Sequence, residues 1–346
     1  VRDRQRDGAL RQVSRRRRLH VRVGDDGRRQ PEADEAVVGV HGDGDRAPRR
    51  IALDPGRRQQ RVDGRLERAV VEHRERVRQR AHVGLQDLLG DGPHVVAGLD
   101  APAAAAAAAD VIVTMLPDST AVTEVVAGPA GILEGAAPGA LIVDMSTISP
   151  AVARALAAEA RRHGVRMLDA PVSGGDVGAE QGNLSIMVGG EPGDVERARP
   201  VLEAVGGTIT RVGEVGAGQV VKACNQVLVA LVIQANAEAL ALAAKSGVDP
   251  TLAHAALSQG LGANRVLDVR GRNLLEHDFR PGARVDLHHK DLDIALTLAR
   301  QCGAVLPGTA LVEQLLQSLR ANGRGHEDHS ALLTVVEQLS GHSIAR

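Results

Sequence analysis

The 346-residue chain contains no Trp, no Tyr and a single Phe, Phe279. Its first hundred residues carry no aromatic side chain at all, so they offer no stacking platform for single-stranded nucleic acid. There are only two cysteines, Cys224 and Cys302. They fit neither a disulfide framework nor a CxxC metal site, and a reducing, cytoplasmic location is expected. Net charge is also lacking: the formal value is −1 and the pI is near 7.0. Global charge therefore points to no nucleic-acid or other acidic partner. No apolar run of signal-peptide type stands near the start, so no secretory leader is expected.

Lysine is scarce too, and its distribution exposes a seam. All three lysines lie beyond residue 100, whereas the first hundred residues hold 23 of the 39 arginines. That stretch has a charge balance of +6 and the remainder −7. Residues 1–100 have few apolar runs, and Gly and Pro interrupt most candidate elements, as at Asp54-Pro55-Gly56 and Gly92-Pro93. Such text buries too little to offset the entropy of ordering. Only Leu66 to Val77 reads as a charged helix. Gly42-x-Gly44-x-x-Ala47 after Val37-Val38-Gly39-Val40 is a loose dinucleotide fingerprint. Pro48 and Asp54-Pro55-Gly56 leave no room for the helix that motif needs. The stretch reads as disordered, as a basic tail, or as GC-rich coding DNA translated in the wrong frame.

From residue 101 the pattern becomes α/β. Asp110 to Leu116 and Leu141 to Met145 predict buried strands, and Val165 to Leu168, Leu184 to Val188 and Thr208 to Val212 three further strands. Helices are predicted at Ser119–Val126, Asp194–Val205 and from Pro150 to His163, with Ser149 as N-cap and Gly164 as the stop. Strand–helix alternation argues for an open, mainly parallel sheet, whose ligands sit beyond the strands' carboxyl ends. Those ends carry Leu116-Pro117, Ser146-Thr147 and Pro171-Val172-Ser173-Gly174-Gly175.

The rest is helical. Gly216 to Ser246 is long and apolar enough to raise a membrane span. Lys222, Asn225, Gln226, Gln234, Asn236 and Glu238 inside it argue instead for the spine of a helical domain. Further helices are expected at Thr251–Leu257, Leu287–Cys302, Gly308–Ala321 and His329–Leu339. Lys222 shares a helical face with Asn225 and Gln226. A partly buried lysine there would exchange a proton near neutrality. Spacing alone fits a surface lysine at a helix start equally well. His288-His289 diverge on a helix, and His326-x-Asp328-His329 reads as a helix start, so no metal is expected.

Five stretches occur in one order: Val113-Thr114-Met115-Leu116-Pro117; Asp144-Met145-Ser146-Thr147-Ile148; Asp169-Ala170-Pro171-Val172-Ser173-Gly174-Gly175 with Gly178-Ala179 and Gly182-x-Leu184; Gly216-x-Gly218-x-x-x-Lys222-x-x-Asn225-Gln226; and Asp286-Leu287-His288-x-Lys290-Asp291-Leu292. On these the chain resembles the β-hydroxyacid dehydrogenase family from about residue 105 onward. Asp328-His329-Ser330-Ala331-Leu332 looks like that family's tartronate semialdehyde group; its hydroxyisobutyrate group tends to have Phe where His329 stands. The resemblance implies an α/β fold, a Rossmann-like parallel sheet followed by an all-helical domain with a long interdomain helix. It divides the chain into 1–100, 101–213 (second half of a dinucleotide-binding domain) and 214–346 (substrate and dimerisation domain).

It also implies reduction of a small 2-hydroxy-3-oxo acid with NAD or NADP as cofactor, by a homo-oligomer without membrane or nucleic-acid partners. Lys222 would be the general acid and Asn225, with Gln226, would orient the substrate. Ser173, Gly174 and Gly175 would hold the substrate carboxylate. Leu116, Pro117 and Thr147 would line the cofactor, with Lys290 reaching it from the helical domain. The family's Gly-x-Gly-x-x-Gly unit belongs at about residues 54–100 and is not found there, so weak dinucleotide binding is expected. Open alternatives are another small β-hydroxyacid as substrate, or a non-catalytic relic with a basic, nucleic-acid-binding arm.

Overall fold

The computed structural model describes residues 20–23, 36–39, 101–107 and 109–345. The fingerprint-like residues 42–47 and the charged helix predicted at 66–77 lie outside them. Within the Arg-rich stretch two short strands, β1 (His20–Val23) and β2 (Ala36–Gly39), pair antiparallel.

The α/β unit is built on β3 (Val111–Thr114), β4 (Leu141–Asp144), β5 (Arg166–Asp169), β6 (Val172–Ser173), β7 (Leu184–Gly189) and β8 (Gly206–Gly213). β3, β4 and β5 are parallel neighbours in register. Alternate side chains sort onto two faces, as the twofold repeat of a strand requires. Ile112, Ile142 and Met167 face one core with α2 (Ser119–Ala127), α3 (Ile132–Gly135) and α4 (Pro150–Arg162), after the short α1 (Pro102–Ala106). Val111, Leu141, Val143 and Leu168 face the other with α6 (Pro192–Val205), which follows the short α5 (Gly175–Glu180).

The sheet is parallel-dominated, with one reversal. β7 runs antiparallel to β5 and β6, and β8 runs parallel to β7. The link from β5 to β7 holds only β6 and α5, and returns the chain beside the strand it has just left. The short link is what places Ser173 directly opposite Ser185. Ser149 stands at the N-cap of α4, but its side chain makes no cap bond. Its backbone N–H donates to Ser119 Oγ instead, at 3.0 Å, while Pro150 starts the helix.

The helical unit hangs on α7 (Ala217–Lys245), roughly 44 Å long at 1.5 Å per residue. Around it pack α8 (Pro250–Leu257), α9 (Arg265–Glu276), α10 (Val285–Cys302), α11 (Pro307–Ala321), a 3₁₀ turn (His329–Ala331) and α12 (Leu332–Ser340). Ala230 and Ile233 join one core with Leu292, Leu316 and Leu332; Ala237, Leu240 and Ala241 join another with Leu274 and Leu333. α7 passes the length and hydropathy test for a membrane span. It is buried along one side only, since Leu228 and Leu242 are 64% and 70% exposed. Asn236 is paired with Asn264, which also caps α9 through Leu267 N–H. That helix is not among those predicted: Leu267, Gly271 and Leu274 recur at helical spacing on its buried side, but the charged residues and the glycine make it polar on average. Gly271 sits where a Cβ would meet the His254 ring at 2.1 Å.

Candidate active site

The parallel strands end in buried acids. Asp169, at the end of β5, accepts Gly216 N–H at 2.6 Å and Gln219 N–H at 2.8 Å, so its carboxylate anchors the start of α7. Gly218 permits the approach: a Cβ there would lie 2.4 Å from Met187 O. Gln219 reaches back, accepting from Ile148 N–H at 3.0 Å and donating to Ser146 O at 2.7 Å. Ser146 Oγ accepts Leu116 N–H at 2.8 Å. The loops after β3 and β4 are thereby joined to one helix turn.

Lys222 lies one turn further along that helix and is 8% exposed. The surface-lysine reading is overturned. Burial holds its pKa below the ordinary lysine value; Lys290 adds to this and Asp291 opposes it. Lys222 Nζ donates to Gln226 Oε1 at 2.9 Å, and Asn225 Nδ2 donates to the same oxygen at 2.8 Å. Gln226 Nε2 donates to Asp291 Oδ2 at 2.7 Å. Ser173 Oγ donates to Asn225 Oδ1 at 3.3 Å. Ser173, Lys222, Asn225 and Gln226 thus form one hydrogen-bonded chain across the two units. Gly174 and Gly175 follow Ser173, exposed, at φ +145° and +63°. Only glycine adopts these conformations without strain, and the backbone is left open to close approach.

Lys290 Nζ donates to Pro117 O and to Thr147 O, both at 2.7 Å, and lies 3.2 Å from Asp291 Oδ1. It therefore clamps the two loops to α10. Met115 is 42% exposed and Pro117 is exposed beside half-buried Leu116, forming an apolar lip at the carboxyl end of β3. A lip of this kind, open and clamped from below by the Lys290 ammonium, fits the reactive ring of a dinucleotide. Residues that would hold its phosphates are not among those described.

Sequence reasoning passed over several contributors. Asp291 was visible only as a neighbour of Lys290, yet it holds Gln226. Asp144 is fully buried; Thr114 Oγ1 donates to its Oδ1 at 2.8 Å, while Oδ2 has no hydrogen-bond partner. Burial raises its pKa to about 6. Asp328 accepts Gly282 and Ala283 N–H at 3.0 Å each and Ser330 Oγ–H at 2.6 Å. It caps a 3₁₀ turn rather than lying in the first turn of an α-helix. His288 and His289 diverge as expected: His288 is buried against His329, and His289 turns to Glu313 and Arg320. Among the described residues no group of three or more His, Cys, Asp or Glu is placed to hold a metal ion. A cavity of about 530 Å³ beside Ser119, Thr123 and Pro129 contains none of the site residues.

The chain matches two family descriptions. Residues 70–213 match the NAD binding domain of 6-phosphogluconate dehydrogenase, and residues 216–336 the NAD-binding domain of NADP-dependent 3-hydroxyisobutyrate dehydrogenase. The first match begins inside the Arg-rich stretch, before the compositional change at residue 101. The chain is similar to 2-hydroxy-3-oxopropionate reductase of Escherichia coli (strain K12), with 43% identity over 238 residues, covering 69% of this chain and 82% of that protein. It is 39% identical to 2-(hydroxymethyl)glutarate dehydrogenase of Eubacterium barkeri over 241 residues, 69% of this chain and 80% of that one. Among solved structures it resembles 3-hydroxyisobutyrate dehydrogenase from Salmonella typhimurium at 32% identity and a TM-score of 0.63, covering 66% of this chain and 80% of that one.

Proposed function

Because the chain belongs to the β-hydroxyacid dehydrogenase family, a family of NAD(P)-dependent oxidoreductases acting on small molecules, we propose that it reduces tartronate semialdehyde (2-hydroxy-3-oxopropionate) to glycerate. The observation that carries the chemistry is Lys222, buried and held through Gln226 to Asp291 beside the Ser173–Asn225 pair. The reductase named for this substrate, at 43% identity, supports the choice of acid.

In this reading the substrate carboxylate sits on Ser173, Gly174 and Gly175, and its carbonyl oxygen faces Lys222 Nζ. The nicotinamide cofactor, NAD or NADP, supplies a hydride to the carbonyl carbon when bound. Lys222 gives the carbonyl oxygen a proton, and in the oxidation direction its neutral amine removes that proton. The depressed pKa makes the ammonium a stronger acid than a free lysine. Asn225 and Gln226 fix Nζ and the substrate relative to one another. Leu116, Pro117 and Thr147 border the nicotinamide, and Lys290 holds their loops in place. Residues 101–213 form the second half of the dinucleotide-binding domain, and 214–346 the substrate domain, with contacts between copies.

Other small β-hydroxyacids remain the second reading, since one structural relative is named for 3-hydroxyisobutyrate. A binding-only relic is not favoured by 43% identity to a catalytic reductase over 238 residues. The test is NADH or NADPH oxidation against tartronate semialdehyde, methylmalonate semialdehyde, succinic semialdehyde and glyoxylate. Fastest turnover of the first, lost in Lys222→Ala, is the expected result. No turnover of any, or full activity in Lys222→Ala, would refute the proposal.

A further inference from the structure

One cation between the two units has no part in the reaction just described. Arg270 lies on α9, and its side chain is 12% exposed. Its guanidinium packs over Gly282, where a Cβ would collide with Nη2, Nη1 and Cζ together. From there it faces the Ser173–Gly175 turn of the α/β unit. A Cβ placed on Gly175 would have Arg270 Nη2 3.7 Å away and, outside its own turn and helix, no other described atom within 4 Å. The space in front of Gly175 is thus open except for this guanidinium.

Two carboxylates share Arg270 loosely. Asp176, on α5, lies 3.4 Å from Nη2 and its side chain is 39% exposed. Asp328 lies 3.8 Å from the same nitrogen and is fully buried. Asp328 already accepts four hydrogen bonds, from Gly282 N–H, Ala283 N–H, Ser330 N–H and Ser330 Oγ–H, so it requires none from Arg270. A guanidinium has five N–H groups to donate. Among the described residues the long contact to Asp176 is the one hydrogen bond that Arg270 makes. The other polar groups of the site are committed. Lys222 Nζ donates to Gln226, Lys290 Nζ to Pro117 O and Thr147 O, and Ser173 Oγ to Asn225.

We infer that Arg270 is a further substrate-binding residue, whose guanidinium pairs with the carboxylate of the acid held on the Ser173–Gly175 turn. This rests on the substrate reading above and deepens it. A carboxylate leaving water for a partly enclosed cleft needs a counter-charge, and the turn itself carries none. The planar fork of a guanidinium matches a carboxylate with two parallel hydrogen bonds. Asp176 holds the guanidinium when no acid is bound and yields it to the incoming carboxylate, so one anion replaces another at Arg270. Alcohols and aldehydes of similar size that lack the carboxylate forgo this pairing, and selection for an acid follows.

The test is titration of the full chain with glycerate and with glycerol, which carries a neutral CH₂OH in place of the carboxylate, followed by ¹H–¹⁵N spectra. The wild type should bind glycerate about tenfold or more tightly than glycerol, the worth of a hydrogen bond to a charged group. Arg270→Met should remove that difference by weakening glycerate alone, and Arg270→Lys should keep part of it. Asp176→Asn should act in the opposite direction, tightening glycerate about two- to fivefold, because it removes the competing carboxylate from a half-exposed ion pair. A structural clasp between Arg270 and Asp176 would instead make the two variants alike. A glycerate preference that survives Arg270→Met, or glycerate binding no tighter in Asp176→Asn, overturns the inference and leaves the substrate reading standing. Equal binding of glycerate and glycerol by the wild type, or binding of neither, overturns both. Should Arg270→Met fail to fold, the direction of the change in Asp176→Asn still decides.

Discussion

Replacing Asp144 by Asn should change the sign of a pH effect on stability. Asp144 is fully buried at the end of β4, with one oxygen hydrogen-bonded to Thr114 and the other unpartnered. Burial raises its pKa from 3.8 to about 6. The folded chain thus keeps this proton over a range of pH where the unfolded chain has released it. This contribution to stability is present in full below pH 3.8 and is lost as pH rises through about 6. The full loss is about 3 kcal/mol at 1.36 kcal/mol per unit, and about 2 kcal/mol of it falls between about pH 4.5 and 7.5.

Asn keeps the oxygen that accepts from Thr114 but cannot ionise. Its amide takes the unpartnered place, at a cost of about 1–3 kcal/mol. The variant should therefore match or exceed the wild type at pH 7.5, and fall below it by pH 4.5. The measurement is urea unfolding followed by far-UV circular dichroism, because a chain without Trp or Tyr gives no useful fluorescence. Titrations elsewhere cancel in the difference between the two proteins. A difference that stays constant across that range would refute the argument, as would one that grows in the wild type's favour as pH rises.

Lys222→Ala should lower the rate of reduction by about 10²–10⁴, the usual worth of a positioned general acid. The wild-type rate of reduction should fall as pH rises through the depressed lysine pKa, while oxidation rises over the same range; pH–rate profiles in both directions check this. Lys290→Gln should raise KM for the cofactor more than it lowers kcat, because the residue clamps loops rather than moving a proton; equal effects on both would refute the clamp. Asp169→Asn should destabilise the chain by about 1–3 kcal/mol by depriving one α7 N–H of its acceptor, as measured by thermal unfolding. Fluorescence titration with NADPH should give weak binding, since residues 54–100 contain no Gly-x-Gly-x-x-Gly; tight binding would count against this. Translating the coding DNA upstream of codon 105 in all three frames should reveal that motif after an apolar run.

Strands and helices were legible where burial enforces a simple period. β4, buried on both faces at Leu141, Ile142 and Val143, reads as an apolar run. α10 and α11 read from their apolar stripes and their glycine and proline boundaries. The reversal of β7 was not legible, because a short apolar strand reads the same whichever way it runs beside its neighbours. The ten site residues were named from motif and resemblance, but their connections were not. Asp291 and His288 act through Gln226, 65 and 62 residues away in sequence. Spacing within one element carries no information about such a contact.

The first turns of α7 explain how residues scattered from Leu116 to Asp291 can act as one group. Gln219, Lys222 and Gln226 recur at intervals of three and four, so they project from one helical face. Gln219 takes the loop after β4 through Ile148 N–H and Ser146 O, and Lys222 joins Gln226 one turn further on. Gln226 takes α10 through Asp291 and through His288. Asp169 sets the height of that face above the sheet by holding its first N–H groups. A slip of one residue in α7 would rotate the face by about 100° and break all four attachments together. Insertion of a single Ala after Gly216 should therefore abolish activity while leaving helix content by circular dichroism nearly unchanged. Retained turnover would mean that the site is assembled by its loops rather than by the helix.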